Sequence, residues 1–161
     1  MTSKDLEADI VVIGGGGAGL AAAIAAGENG CKNIVVLEKA GSATGSTGMA
    51  HDIFGAESPV QKRQGINAFK DDLFKTAMEW AHWTRINPRI VRAFIDKSGD
   101  TIGWLEKKGL SFELIQYYPN QTPLVRHSVI GHGNALMKTL RENCLQLGVR
   151  ILTRTPARRI L

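Results

Sequence analysis

Three glycines near the start of the chain have the spacing of a phosphate-binding turn. Gly14, Gly16 and Gly19 form the pattern G-x-G-x-x-G within residues 9–26, "DIVVIGGGGAGLAAAIAA". In such a turn the first glycine permits the tight bend, the second lets a pyrophosphate approach the backbone, and the third lets a helix pack closely on a strand. The N-terminus of that helix adds free N–H groups and the positive end of its dipole. These residues therefore predict a site for dinucleotide phosphates.

The residues around the glycines supply the rest of a dinucleotide-binding pattern. Residues 10–13 are an uninterrupted apolar run, which predicts a fully buried parallel strand, and residues 20–26 favour a helix. A second apolar run, residues 34–37, ends at Glu38, 19 residues after Gly19. An acid that binds a ribose is expected about 20 residues after the glycines. We therefore favour dinucleotide binding over the alternative, a glycine turn that holds no ligand.

A second candidate binding segment follows the second predicted strand. Residues 41–48, "GSATGSTG", are rich in glycine and hydroxyl groups. Ligands of open α/β sheets bind at the carboxyl ends of the strands, which is where this segment lies. A flexible linker is the alternative. Because apolar residues resume directly at Met49 and Ala50, we favour a binding loop.

The histidines and cysteines give weaker signals. His51, His82, His127 and His132 do not pair at metal-ligand spacing, and neither do Cys31 and Cys144, so we predict no metal site and free thiols. Arg126 and His127 lie in a segment predicted to be irregular, ahead of a helix. The favoured interpretation for this pair is loop residues without a role in a site, and a nearby anion or flavin is the alternative.

The elements that must position these residues follow an α/β order. After the first β-α-β unit, about a hundred residues dominated by helices come before a third buried strand. Helices are predicted from residue 59, over about 68–83, from residue 88 to a break at 98–100, from there to 108, and over 134–147; strands are predicted at 110–115 and 149–153, with 116–131 irregular. A nicotinamide-binding domain usually repeats β-α units at shorter intervals, so this layout favours a different dinucleotide.

Composition excludes several classes of protein. The chain has 161 residues, 43% hydrophobic and 22% charged, which is sufficient for one domain with a core. It has no apolar run of the length that spans a membrane and no apolar signal segment, so we expect a cytoplasmic protein. The net charge is +5, but no exposed aromatic residues alternate with the basic ones, so we expect no nucleic-acid partner.

Several phrases together resemble one family. The glycine stretch, "IVVLEKA", the loop that ends in "TGM", "SGDTIGWLEKKGLSFE", "GHGNALMKTL" and "GVRILTRTPARRI" occur in this order. They resemble the FAD-binding domain of the fumarate reductase and succinate dehydrogenase flavoproteins. The resemblance implies an α/β fold: a Rossmann-like FAD-binding domain of the glutathione-reductase type, with a parallel sheet, a helical insertion and an incomplete C-terminal part.

The resemblance also implies a cofactor and its ligands. FAD is expected to be held without a covalent bond. The residues expected to bind it are Gly14, Gly16, Ala18, Gly19, Glu38, Lys39, Ser46, Thr47, Gly48 and Ala157. No catalytic residue is assigned, because the family's catalytic arginine and histidines lie in parts that this chain lacks.

The expected function is a flavoprotein oxidoreductase that passes a hydride between FAD and a small organic acid, with a possible electron-donor protein as partner. Family members are longer and carry a capping domain. We therefore expect residues 1–161 to be an amino-terminal part of the FAD domain that is inactive by itself. Two alternatives stay open: a non-catalytic interaction or assembly module, and an NAD(P)-binding dehydrogenase domain.

Overall fold

A computed structural model of the chain describes residues 5–117, 119–120 and 123–159. The chain divides into two compact units. The first combines residues 1–50 with residues 133–161, and the second comprises residues 51–132.

The first unit is built on a three-stranded parallel sheet. Its strands are β1 (Ile10–Ile13), β2 (Ile34–Leu37) and β6 (Arg150–Leu152), in the order β1-β2-β6. Two helices belong to it, α1 (Gly17–Glu28) and α5 (His132–Gln146), and a short 3₁₀ turn forms at Ser46–Met49. The predicted β-α-β unit and the third parallel strand are therefore confirmed.

Apolar side chains from these elements form the core of the first unit. The central strand β2 has neighbours on both sides, so its β-branched residues are buried, as expected for a parallel sheet. Further buried side chains come from one face of each helix: Leu20, Ala23 and Ile24 of α1, and Leu136, Met137, Leu140 and Cys144 of α5. Residues 3 and 4 apart on a helix share a face, which explains this spacing.

The second unit combines an antiparallel sheet with three helices. Its elements are β3 (Asp52–Phe54), α2 (Pro59–Arg63), α3 (Lys70–Trp80), α4 (Pro88–Lys107), β4 (Phe112–Ile115) and β5 (Arg126–Val129), and the sheet order is β3-β5-β4. Ser58 caps α2 in a capping box with Gln61, and Asn87 caps α4. Both cap-and-proline starts predicted from the sequence are confirmed.

The predicted helix break at residues 98–100 is wrong, because α4 continues through them. Ser98 and Gly99 serve packing instead. The Ser98 hydroxyl accepts a hydrogen bond from Ala56 N at 3.0 Å and donates one to Ile95 O at 2.8 Å. A Cβ atom on Gly99 would lie 2.1 Å from Ala56 O. A small residue at this position lets the chain at Ala56 approach the helix.

The prediction of irregular chain over residues 116–131 is also wrong at β5, which pairs with β3 and β4. The sequence of this strand, "RHSV", is mostly polar and so gives little strand signal. Its buried residues are His127 and Val129, and the ring of His127 forms a hydrogen bond with the hydroxyl of Ser58. Tertiary pairing of this kind overrides local propensity.

Strand β1 is less buried than its apolar sequence predicts. Val11 and Ile13 are 53% and 60% exposed. Residues two apart share one face of a strand, so both exposed side chains lie on a single face of β1, an edge strand that pairs with β2 alone among the described strands. In the described part of the chain, no helix is both long and apolar enough to cross a membrane.

Candidate functional site

The ends of the three parallel strands bring the predicted binding segments together. Strands β1, β2 and β6 run in the same direction, so the glycine turn after β1, Glu38 after β2 and residues 153–155 after β6 meet at one edge of the sheet. Backbone hydrogen bonds join them: Gly14 N donates to Leu37 O, and Thr155 N donates to Glu38 O, both at 2.8 Å. This is the edge at which open α/β sheets bind ligands.

The glycine turn has the geometry that its pattern predicts. Gly14 has a φ of +100°, a left-handed conformation that glycine adopts without strain. A Cβ on Gly19 would lie 1.9 Å from Gly14 O and 3.3 Å from a methyl of Val12, so Gly19 permits helix α1 to approach the strand. At Gly16 the nearest atom to an added Cβ is 3.9 Å away. The backbone at Gly16 is therefore open to an incoming group.

Glu38 has both carboxylate oxygens fixed by backbone N–H groups. Oε1 accepts from Ala40 N and Oε2 accepts from Gly15 N, each at 2.7 Å. These hydrogen bonds, from Ala40 first and Gly15 second, hold the pKa of Glu38 below its ordinary value. An ionised carboxylate has about four lone-pair sites, more than the hydrogen bonds from Ala40 and Gly15 occupy.

The hydroxyl loop, residues 41–50, contacts the glycine turn directly. Thr47 Oγ1 accepts a hydrogen bond from Gly17 N at 3.3 Å, at the first residue of α1. Ser46 is exposed and Thr47 and Gly48 are half-buried. Arg141 Nη1 donates to Ala43 O at 2.9 Å and so ties α5 to this loop. The loop is therefore packed on the turn and on α5, unlike a flexible linker. That it binds a ligand stays a prediction.

The remaining predicted ligands are exposed residues near the same edge of the sheet. Ala18 is exposed in the first turn of α1, and Lys39 is exposed beside Glu38. Ala157 is exposed and follows β6. The assignment of these residues to a cofactor stays a prediction.

Sequence reasoning missed two residues of the turn. Gly15 and Gly17 occupy positions that the G-x-G-x-x-G pattern leaves free, yet a Cβ on Gly15 would lie 2.7 Å from Ala43 Cβ, and a Cβ on Gly17 would lie 2.8 Å from Thr47 Oγ1. The signal was the unbroken run of four glycines, because two more glycines than the pattern requires indicate a second close approach.

His127 is outside this site. Its ring is fully buried in the second unit, with Nε2 at 2.6 Å from Ser58 Oγ and Nδ1 at 3.2 Å from Val125 O. Burial lowers the pKa of His127, and the bonds to the carbonyls of Val125 and Ile53 oppose that shift. The favoured interpretation, a residue without a role in a site, is supported. Among the described residues no group of three metal-binding side chains occurs, and both cysteines are free thiols.

The residues present fit a flavin dinucleotide. The Gly16 backbone leaves room for a phosphate, the first turn of α1 offers N–H groups, and Glu38 has acceptor positions for a ribose. The arrangement can bind and orient a dinucleotide.

Comparisons with known proteins agree with this geometry. A family model described as "FAD binding domain" matches residues 9–161. Vinyl phenol reductase of Lactiplantibacillus plantarum is 34% identical over 150 residues, which are 92% of this chain and 30% of that protein. NADH:fumarate oxidoreductase of Klebsiella pneumoniae is 34% identical over 103 residues, which are 63% of this chain and 11% of that protein.

A solved structure has the same fold. The 3-ketosteroid-Δ4-(5α)-dehydrogenase of Rhodococcus jostii matches with a TM-score of 0.75 and 26% identity, over 95% of this chain and 39% of that chain. The chain spans 30% of the length of the vinyl phenol reductase and 11% of that of the NADH:fumarate oxidoreductase. With the family model covering nearly all of its residues, the chain belongs to the FAD-binding domain family of flavoproteins whose members include fumarate reductases.

Proposed function

We propose that the chain binds FAD without a covalent bond and is the cofactor-binding part of a flavoprotein oxidoreductase. The observation that carries this proposal is the convergence of the glycine turn, Glu38 and Thr47 at one sheet edge, in a chain whose family model is an FAD-binding domain. FAD, when bound, supplies the hydride chemistry, and the protein binds and orients it.

Each segment of the site has a proposed task. The glycine turn and the first turn of α1 bind the pyrophosphate, because their N–H groups and the helix dipole favour an anion. Glu38 accepts hydrogen bonds from the ribose hydroxyls, with Lys39 beside it. Ser46, Thr47 and Gly48 lie along the pyrophosphate, and Ala157 contacts the adenine through its backbone.

The proposed substrate is a small organic acid. The name of the Klebsiella relative, which includes fumarate, supports this class. The vinyl phenol reductase supports a second class, an unsaturated phenol, because it matches over more of this chain. A protein that donates electrons, and a cytoplasmic location, stay predictions.

Non-covalent attachment is proposed from the composition of residues 39–50, which include no histidine, cysteine or tyrosine. Acid precipitation of the chain loaded with FAD tests this point. All of the yellow colour should stay in the supernatant. Flavin fluorescence in the denatured protein band of a gel would contradict the proposal.

The variant Gly16→Val tests the cofactor site. A branched side chain at Gly16 would fill the open space at the turn, so we expect no FAD in the purified variant and stoichiometric uptake by the parent. Titration of the parent with FAD and with NADH separates flavin binding from nicotinamide binding. A folded parent that takes up neither cofactor would favour the alternative of an assembly module.

The chain by itself is proposed to be inactive. A dye-linked assay of the FAD-loaded chain with fumarate should show no turnover above that of free flavin, because the residues assigned to the site have tasks in binding the cofactor and none is assigned to proton transfer to a substrate. Turnover above that rate would contradict this proposal and leave FAD binding intact.

A further inference from the structure

Alternate residues of the hydroxyl loop lie against successive glycines of the turn. Ala43 lies against Gly15, Gly45 against Gly16, and Thr47 against Gly17, and a Cβ on each of the three glycines would meet these residues at 2.7, 3.9 and 2.8 Å. The G-x-G-x-x-G pattern explains Gly16 by the cofactor. It gives no reason for Gly17, so the requirement for glycine there comes from the loop.

Thr47 completes the N-terminus of α1. The N-cap residue of this helix is Gly16, which has no side chain to accept a hydrogen bond. Thr47 Oγ1 accepts from Gly17 N instead, at 3.3 Å. A hydroxyl that accepts one hydrogen bond still has a proton to donate. Thr47 therefore caps the helix from another segment and keeps an O–H at the same end.

Gly17 is the residue that admits Thr47. An added Cβ would lie 2.8 Å from both Oγ1 and Cγ2 of Thr47 and 3.2 Å from its Cβ. A threonine has two heavy γ atoms to place in three staggered positions. Two of these positions are too close to the added Cβ, so every rotamer leaves one atom in conflict. An alanine at this position must therefore displace the loop.

We propose that Gly17 and Thr47 are a matched pair of positioning residues: Gly17 admits the Thr47 side chain, and the Thr47 hydroxyl caps α1 in the free chain and donates its proton to a phosphate oxygen of FAD. The phosphate takes over the Gly17 N–H, because a charge-assisted hydrogen bond is stronger than one to a neutral hydroxyl. The second half of this proposal rests on the proposed function.

Four variants test the pair in the free chain by thermal unfolding. Helix propensity alone predicts that Gly17→Ala raises the midpoint. We expect the midpoint temperature of Gly17→Ala to fall by about 2–4 °C instead. The midpoint of Thr47→Val, which keeps the shape of the side chain but removes the hydroxyl, should fall by a similar amount. Thr47→Ser should match the parent. The double variant Gly17→Ala with Thr47→Ser should recover part of the loss, because serine has one γ atom and can vacate the crowded positions.

Gly16→Ala is the matched control, since its Cβ has open space. Because Gly16 is the N-cap residue of α1, where alanine is less favourable than glycine, the midpoint of this variant should fall by less than that of Gly17→Ala, while its FAD binding is lost. A Gly17→Ala midpoint at or above that of the parent would overturn the role of Gly17.

FAD titration by fluorescence quenching tests the donor role. Thr47→Val should bind FAD about tenfold more weakly than the parent, a loss equal to about 1.4 kcal/mol, and Thr47→Ser should bind like the parent. Equal affinity of Thr47→Val and the parent would overturn the donor role. If the parent binds no FAD, the proposed function and the donor role both fail, and the midpoints still decide whether Gly17 and Thr47 form a pair.

Discussion

At the scale of single residues, Glu38 combines an observed structural task with a proposed binding task in one carboxylate. Its two oxygens fix Gly15 and Ala40, so the charge that is proposed to bind a ribose also stabilises the turn that would bind the phosphates. Replacing Glu38 therefore changes both the stability of the turn and the proposed contact with the ribose. Variants that keep its shape are therefore more informative than truncation.

Glu38→Gln should weaken FAD binding and also destabilise the turn, because its NH2 group cannot accept the hydrogen bond that either Gly15 N or Ala40 N donates to the carboxylate. The amide has one acceptor oxygen and no charge, and each charge-assisted hydrogen bond that it loses contributes about 1.5–3 kcal/mol. Calorimetric titration should show affinity reduced by about ten- to a hundredfold, and Glu38→Ala at least as much. Glu79→Gln, an exposed change on α3, is the control. An unchanged dissociation constant for both Glu38 variants would refute the assignment to ribose.

His127 should make the stability of the chain depend on pH. Burial lowers the pKa of its ring in the folded state below its ordinary 6.5, so the unfolded state binds the proton more readily. The contribution of the neutral His127 ring to the free energy of unfolding is complete above about pH 6.5 and is lost as the pH falls below that value. Urea unfolding at pH 7.5 and 5.5 should show this loss in the parent.

His127→Asn should be less stable than the parent at pH 7.5 and should lack much of that pH dependence, because the titrating ring is gone. His82→Asn changes an exposed residue with a φ of +51°, a conformation that asparagine tolerates, and should keep the parent's pH dependence. If His127→Asn loses as much stability as the parent between pH 7.5 and 5.5, the group responsible for the loss is not His127.

At the scale of elements, helix α4 illustrates how packing overrides local preference. Two glycines lie on this helix, and both face neighbouring chain. A Cβ on Gly99 would lie 2.1 Å from the backbone oxygen of Ala56, whereas a Cβ on Gly103 would lie 3.1 Å from the ring of Pro59. The backbone oxygen is fixed by its segment, while a proline ring edge can move by a few tenths of an ångström.

Gly99→Ala should therefore destabilise the chain by about 1–3 kcal/mol, although alanine is favoured over glycine in helices by about 1 kcal/mol. Gly103→Ala, with the same change in propensity, should be near neutral. The urea concentration at the midpoint of unfolding measures the stability of both variants, provided that the free energy of unfolding depends on urea with the same slope as in the parent. Equal midpoints for the two variants would show that the segment at Ala56 moves freely away from α4.

At the scale of the whole molecule, the two cysteines report how the first unit opens. Cys144 lies on α5, fully buried, with Sγ at 3.6 Å from Leu20 O of α1, and burial raises the pKa of its thiol to about 11. Cys31 is half-buried, in the turn that precedes β2. Reactivity requires both access and the thiolate form.

An aromatic disulfide reagent at pH 8 should therefore modify Cys31 quickly and Cys144 at the rate of opening of the native chain. In urea, the thiol of Cys144 should also react in the fast phase, because unfolding exposes it. Cys31→Ser should remove the fast phase and keep the slow one. Two fast thiols in the native chain would mean that α5 does not pack on α1 as described.

Local patterns predicted the first unit well because its signals are independent of distant residues. The glycine run, the apolar strands and the acid after β2 are short, and each has a local physical cause. The second unit was predicted less well. Strand β5 has a polar sequence and exists through its partners β3 and β4, and α4 passes through "SGD" because Ser98 and Gly99 meet Ala56.

The sequence by itself determined the turn that follows β1, the acid that follows β2 and the family to which they point, because spacing along the chain is sufficient to specify a phosphate-binding turn. Only the tertiary structure decided that Glu38 holds the turn with both oxygens, that Thr47 caps α1 and that His127 is buried against Ser58. The partners in these contacts are 23, 30 and 69 residues apart. Contacts over such separations depend on how the strands pair and the helices pack, and no local pattern records them.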